Sequence, residues 1–385
     1  MPIRPLSIAL FYSDVDRVPQ KRKTINAPFW VLYYLANVLT EHGHRVTLFG
    51  APGFASKASV VSKKITNWTA IPYGDALKKE GNYADWARHL GMNDQTHLID
   101  IFKKNDFDIV HAHTELALPL AAQNGHVPTL ISYHSPFDPH YSKLFSYYQH
   151  EFSNIYFSAL SNAHQKQGSP IRFTGIAHNG IDITQFKFNE HPANDLLFIG
   201  RIVPEKGPDT AIQVARAVKK PLAIVGPQYY SSKERKQFWD TFIGPYLGTR
   251  IQHYGFLPYH KVQKHYQQSK ALLFPDRWKE AFGLVLIEAM ACGTPVVAFN
   301  RGAVPEVIKR GKTGFIVKNE REMIAAVKKI YAMPPDEYTA MRHACREHVE
   351  QNFSIERMVE NYETLYYKII DKHKKNHAKT NRRAS

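Results

Sequence analysis

Short apolar runs alternate with amphipathic stretches along the first half of the chain. Ile8–Tyr12, Arg45–Phe49, Ile109–Ala112 and Thr129–Tyr133 have the length and the β-branched and aromatic content of buried strands. Between them, Phe29–Glu41, Gln95–Lys103 and Leu116–Gln123 carry apolar residues at helical spacing. The pattern starts again after about residue 185. Leu196–Ile199, Leu222–Val225, Ile251–Tyr254, Ala271–Phe274 and Val296–Phe299 read as strands, and Pro208–Val218, Tyr259–Gln268 and Leu284–Ala291 as helices. Strand followed by helix, repeated, predicts a parallel sheet covered on both faces. The restart predicts two such units. The expected fold class is therefore α/β, with two Rossmann-like doubly wound domains facing across a cleft. Ligands of open α/β sheets sit outside the carboxyl ends of the strands, which places the site in that cleft.

The polar stretch Ile183–Asn194 marks the boundary, giving domains over 1–185 and 186–354. A last helix is expected over 355–372, with Ser354 as its N-cap and its body packing back on the first domain. Residues 373–385 are expected to be a disordered basic tail.

Composition narrows the class. A chain of 385 residues suits two domains. No apolar run approaches the ~20 residues that span a bilayer, and the short apolar segment Leu6–Tyr12 reads as a first strand, not a signal peptide. Only Cys292 and Cys345 are present, far apart, which fits a reducing cytoplasm and no disulfide framework. The net charge is +16, and Lys368, Lys372, Lys374, Lys375, Lys379, Arg382 and Arg383 place much of it at the C-terminus, against Asp371 alone. A solvated tail is the plain reading. Peripheral contact with an anionic membrane inner face is the sharper one, and the run Lys21-Arg22-Lys23 would add to it. No nucleic-acid-binding signature is present.

The candidate chemistry concentrates in the second half. Gly200-Arg201 ends a strand and Pro204-Glu205-Lys206-Gly207 leads into a helix, so two cations and a helix N-terminus can converge on one anion. Glu280 lies in the turn that enters the next helix, and Glu288 follows two helical turns later in an apolar run. Such a carboxylate needs partners: ligand hydroxyls on one reading, a structural Arg or Lys on the other. In the first half, His111 and His113 share one face of a strand end. One is expected in the core and the other, His113, at the cleft, with His134 as a second candidate. No metal is expected, because the ligand spacing of a metal site is missing. Asn179-Gly180-Ile181-Asp182 is a turn signal.

Taken together these segments resemble the retaining, nucleotide-sugar-dependent glycosyltransferases of family 4, which have the two-domain GT-B fold. The resemblance rests on HNGID at 178–182, GRIVPEKG at 200–207, and EAFGLVLIEAMACGTPVVA at 280–298 followed by GAVPEV at 302–307. It implies that Arg201 and Lys206 bind the donor diphosphate and stabilise the leaving nucleotide. It implies further that Glu280 orients the donor sugar, and that backbone groups of Gly200, Phe282, Gly283 and Leu284 approach the sugar and phosphates. Glu288 would hold the ribose, and His113 would contact the transferred sugar. The implied reaction is metal-independent transfer of a hexose, with UDP-glucose favoured, to a hydroxyl of a carbohydrate, lipid-linked or small-molecule acceptor by front-face attack. A UDP-sugar epimerase and a non-catalytic nucleotide-sugar-binding protein are the alternatives on the same fold. One departure stands out: the family's Gly-Gly pair in the loop after the first strand is replaced, with Asn26 and Ala27 in its place on the acceptor side.

Overall fold

The computed structural model describes residues 4–12, 27–50, 55–61, 95–103, 106–228 and 232–384. Asn26 and the Lys21-Arg22-Lys23 run lie outside the described residues, and Ala27 is the first residue of the helix Ala27–Glu41.

The first sheet holds β1 (Ser7–Phe11), β2 (Arg45–Phe49), β3 (Ser59–Val61), β4 (Ile109–Ala112), β5 (Thr129–Ser132), β6 (Ile155–Ala159) and β7 (Gly175–Ile176). The second holds β8 (Asp195–Ile199), β9 (Leu222–Val225), β10 (Ile251–His253), β11 (Ser269–Phe274), β12 (Val296–Phe299) and β13 (Gly314–Val317). The orders are β3-β2-β1-β4-β5-β6-β7 and β10-β9-β8-β11-β12-β13, and every pairing among these strands is parallel. Strand order reverses between β1 and β4 in one sheet and between β8 and β11 in the other. A crevice opens at each reversal because the flanking connections leave on opposite faces.

The strands are buried on both faces, so they read as continuous apolar runs: β1, β4, β9 and β12 have no exposed residue. The sequence reading omitted β3, β6, β7 and β13; β6 (Ile155–Ala159) is five residues and fully buried and was open to the same reading, whereas the other three are short or begin at a glycine. β7 has only two residues, β3 only three, and β13 begins at a glycine.

The final helix, Ile355–Ala384, belongs to the first sheet's core. Met358, Val359, Tyr362, Leu365, Tyr366 and Ile369 pack with Leu10, Leu35 and Leu130. Its polar side is tied in as well. Leu6 N–H donates to His44 Nδ1, which leaves His44 Nε2–H to donate to Glu363 at 3.0 Å, and His42 Nδ1 lies 2.7 Å from the same oxygen. The sequence reading ended this helix at Lys372 and left 373–385 disordered. Instead it continues to Ala384, and buried His373 lies 3.2 Å from the carbonyl of His126 in the first lobe. A docked turn at His373 carries the helix onward through a run that contains few helix breakers.

Candidate active site

The second lobe's crevice collects charge at the ends of β8 and β11. After β8 the chain passes Gly200 and Arg201 and makes a short 3-10 turn, Pro204–Lys206, before the helix Pro208–Val218. Lys206 is thereby aimed across to the end of β11. There its Nζ donates to Asp276 at 2.8 Å and to Glu280 in a short ion pair. Asp276 is buried and also accepts from the backbone N–H of Trp278 at 2.8 Å. Burial pulls the Lys206 ammonium below its usual value and lifts the Asp276 carboxyl, while the attraction between the two opposes both shifts. Arg201 is close enough to favour the charged form of Asp276 and to disfavour that of Lys206. Among the described residues its side chain has no ion-pair partner.

Above this cluster starts the helix Leu284–Ala291. Its N-cap is Gly283 at φ +93°, in the left-handed region, and no side chain caps it. The first backbone N–H groups of this helix are therefore left for a ligand or solvent. The Phe282 side chain is buried against Phe353 and His178, which turns its backbone and not its ring toward the crevice. Leu284 packs against the cores of both lobes. At Gly200 a Cβ would meet only the Phe198 ring, at 3.6 Å, so the space beside it is open.

Glu288 is 8% exposed and has no cationic partner among the described residues. Its oxygens accept from Tyr259 Oη at 3.1 Å and Tyr266 Oη at 2.7 Å. Burial raises its pKa, and the two phenols pull it back down. Tyr259 in turn stacks on Trp30 of the first lobe, with ring centroids 5.2 Å apart and planes 17° from parallel.

The first lobe contributes a histidine chain at the ends of β4 and β5. His111 Nδ1 lies 2.7 Å from Tyr366 Oη and its Nε2 2.8 Å from Ser132 Oγ. His113 Nδ1 lies 2.8 Å from His134 Nε2, and the other nitrogen, His113 Nε2, is buried without a partner. Burial drives His111 and His113 well below the usual imidazole value and pushes His134 down to about 3. All three rings are neutral at pH 7. The expectation that His113 stands open at the cleft needs correcting: it is 2% exposed, as enclosed as His111, and what it offers is one unsatisfied nitrogen.

Comparison with known proteins decides the family. Residues 30–167 match Glycosyltransferase Family 4, and residues 181–351 match Glycosyl transferases group 1. The chain belongs to glycosyltransferase family 4. The N-acetyl-alpha-D-glucosaminyl L-malate synthase of Bacillus anthracis is 40% identical over 93 residues, 24% of each chain. The D-inositol 3-phosphate glycosyltransferase of Mycobacteroides abscessus is 30% identical over 162 residues, 38% of this chain and 36% of that one. The chain thus aligns with well under two thirds of the length of these curated relatives. A solved structure of Anabaena Alr3699/HepE in complex with UDP-glucose superposes with a TM-score of 0.68 at 17% identity, covering 93% of this chain and 99% of that one. That likeness shows the GT-B fold.

Within this family frame, the fold brings Arg201, Lys206, Glu280 and the start of the helix at Gly283 to one crevice; because that helix begins only at Leu284, Glu288 lies about one turn into it, not two turns beyond Glu280. His113 and His134 meet at the end of β4 in the first lobe. Asn179-Gly180-Ile181-Asp182 serves the junction: Ile181 N–H donates to Phe353 O at 3.0 Å, and Ile181 bridges to Ser354 where the last helix begins. Sequence reasoning missed Asp276, although it follows a strand end directly and could have been found there. It also missed Tyr259, Tyr266 and Trp30, for which the sequence carries no local signal. Glu306 received no role, yet it joins the lobes. Its carboxylate accepts from the backbone N–H groups of Asn162 and Ala163 at 2.7 and 2.6 Å, at the start of the helix Asn162–Gln167. Among the described residues no group of three or more His, Cys, Asp or Glu is placed to hold a metal ion.

Proposed function

We propose that this protein is a retaining glycosyltransferase that moves a hexose from a nucleoside-diphosphate sugar, UDP-glucose by preference, to an acceptor hydroxyl. The observation that carries the reading is Lys206 held between Asp276 and Glu280, beside Arg201 and below the uncapped N-terminus of the helix Leu284–Ala291. Breaking a sugar–diphosphate bond needs negative charge stabilised on the leaving group, and preorganised cations with free backbone N–H groups supply this.

The pairing of Lys206 suggests how the site loads. Lys206 and Arg201 face Asp276, Glu280 and the neighbouring Glu205, so without a donor the crevice carries no excess of positive charge. An incoming diphosphate draws Lys206 toward its oxygens and releases Glu280 to accept hydrogen bonds from the sugar hydroxyls. Asp276 stays as the anchor that keeps Lys206 charged and aimed. Glu288, presented by Tyr259 and Tyr266, accepts from the ribose hydroxyls. In the transfer step the acceptor oxygen bonds to the anomeric carbon on the face the phosphate leaves. The carbon–oxygen bond to the phosphate breaks, and the acceptor's proton passes to the departing phosphate oxygen. No enzymic nucleophile is required. His113, whose Nε2 has no hydrogen-bond partner among the described residues, would contact the transferred sugar once the donor is bound. The donor preference is supported by the UDP-glucose complex of the Anabaena structure alone.

The test is donor consumption with and without candidate acceptors, scanned over UDP-, GDP- and ADP-sugars, with the anomeric configuration of product read by NMR. Acceptor-dependent nucleoside diphosphate release with retained configuration is expected. Donor turnover to a free epimerised sugar without acceptor would replace this reading with an epimerase. Donor binding without turnover would leave a binding protein.

A further inference from the structure

A second concave site opens beside the first, at the carboxyl ends of β12 and β13. It is a cleft of about 440 Å3, within the roughly 300–1,000 Å3 typical of small-molecule sites. Arg301 and Gly302 follow β12 and Lys318 follows β13, two strands held in register by Phe299 opposite Val317. The facing wall is Lys166 and Gln167, the last turn of the helix that Glu306 holds down from its other end. Lys279 forms the third wall.

The charge of this cleft is one-sided. Among the described residues, Lys166, Lys279, Arg301 and Lys318 line it and no acidic residue does. None of the four side chains forms an ion pair with a described residue, and what sets the cleft apart from the rest of the described surface is that four such cations converge on one concavity. The neighbouring acids are already engaged. Glu280 holds Lys206, Glu306 holds the helix start, and Glu322 accepts from the backbone of Lys318 at 2.9 Å. Four positive charges around one concavity, none of them in an ion pair with a described acid, create a local field that favours a multivalent anion.

The cleft is distinct from the diphosphate cluster yet adjoins it. In the sheet order β8-β11-β12-β13, the end of β12 lies two strand spacings from Arg201, about 10 Å. At the same time, Gly302 at φ +54° sits so close to Glu280 that a Cβ would lie 2.3 Å from the Glu280 carbonyl oxygen, and Ala303 N–H donates to that oxygen at 3.1 Å. An anion held here is one small-molecule length from the sugar that Glu280 would position.

We propose that this cleft is an acceptor subsite that binds a phosphate-type anion carried by the acceptor. The proposal depends on the donor reading only in placing transfer at Glu280. The binding of the anion stands on the cleft itself.

Calorimetric titration with inorganic pyrophosphate in the presence of saturating UDP isolates the cleft from Arg201 and Lys206. Three proteins are compared with the parent: Lys279→Ala/Arg301→Ala/Lys318→Ala, the equal charge removal Lys368→Ala/Lys374→Ala/Lys375→Ala, and Arg201→Ala/Lys206→Ala. Pyrophosphate is expected to bind the parent with UDP present. Its affinity should fall at least tenfold in the cleft variant, change less than twofold in the C-terminal variant, and persist in Arg201→Ala/Lys206→Ala. The single reversal Lys318→Glu should give the same direction of effect with an unchanged melting temperature. Equal binding in the cleft variant, full displacement by UDP, or an equal loss in the C-terminal variant would overturn the site. A transfer assay then separates an acceptor-borne group from free phosphate. The cleft variant should raise KM for a sugar phosphate acceptor at least tenfold with the rate on the dephosphorylated sugar unchanged, and equal KM changes for both would overturn the acceptor assignment. If UDP itself fails to bind, the donor reading falls while the pyrophosphate comparison is still read.

Discussion

At the scale of single residues, the charge cluster makes the most direct predictions. Lys206→Ala removes one preorganised charge from the leaving-group side and should lower kcat by roughly 100–1,000-fold. Asp276→Asn should cost less, because it leaves Lys206 in place but loosens its aim, and the loss should appear in both kcat and donor KM under steady-state kinetics. Equal activity in Asp276→Asn would remove Asp276 from the site. The histidine chain has a thermodynamic signature. His111, His113 and His134 are held below their unfolded value of roughly 6.5, His134 at about 3. Between those limits the unfolded chain binds protons that the native rings refuse, so stability is complete above about pH 6.5 and declines as pH falls below it. Each ring contributes up to about 1.4 kcal/mol per pH unit in that window. Melting temperature followed from pH 7 to pH 4 should show this slope, and His134→Gln should flatten it by close to one proton. That Arg201, Lys206 and Glu280 would meet at one crevice was legible in the sequence because strand ends and helix starts mark where ligands bind. The partners of Glu288 were not, since Tyr259 and Tyr266 lie on a different helix and meet the carboxylate only through packing.

At the scale of elements, two of the contacts that join the lobes carry predictions. Glu306 supplies the carboxylate that satisfies the start of the helix Asn162–Gln167, alongside the Ser161 cap, whose hydroxyl donates to Ala281 O at 2.7 Å. Glu306→Ala leaves those N–H groups short of a partner and should destabilise the protein by about 1–2 kcal/mol, read by urea denaturation. The helix Ala27–Glu41 meets the second lobe through Trp30 on Tyr259, and Tyr259 carries Glu288. Aromatic pairs contribute about 0.5–1.5 kcal/mol beyond their burial. Trp30→Ala should therefore raise donor KM by roughly 2–10-fold, with a smaller change in kcat, while Trp30→Phe restores most of it. A KM unaffected by Trp30→Ala would show that the stack does not report on the ribose side. These contacts were hidden in the sequence because they pair residues far apart along the chain, Glu306 with Asn162 at 144 positions and Ser161 with Ala281 at 120.

At the scale of the whole molecule, the last helix decides whether the first lobe folds. Tyr362, Tyr366, Val359, Met358, Leu365 and Ile369 are buried in its core, and each large apolar side chain is worth about 1.5–3 kcal/mol on burial. Their sum matches or exceeds the roughly 5–15 kcal/mol of net stability of an ordinary domain. A chain ending at residue 354 should be insoluble or unfolded by circular dichroism, whereas one ending at residue 376 should keep the native melting temperature within a few degrees. The sequence by itself determined the two doubly wound sheets, because buried parallel strands must be near-continuously apolar and their alternation with helices admits few other folds. It also placed cations, acids and glycines at the strand ends, where open α/β sheets bind their ligands. Tertiary structure decided which of those charges meet. It set Lys206 between Asp276 and Glu280, enclosed His113 behind His134, spent Glu306 on a helix start, and left Lys279, Arg301 and Lys318 facing Lys166 across a cleft, none of them in an ion pair with a described acid. Such pairings depend on how separate segments pack in three dimensions, and local sequence periodicity holds no record of them.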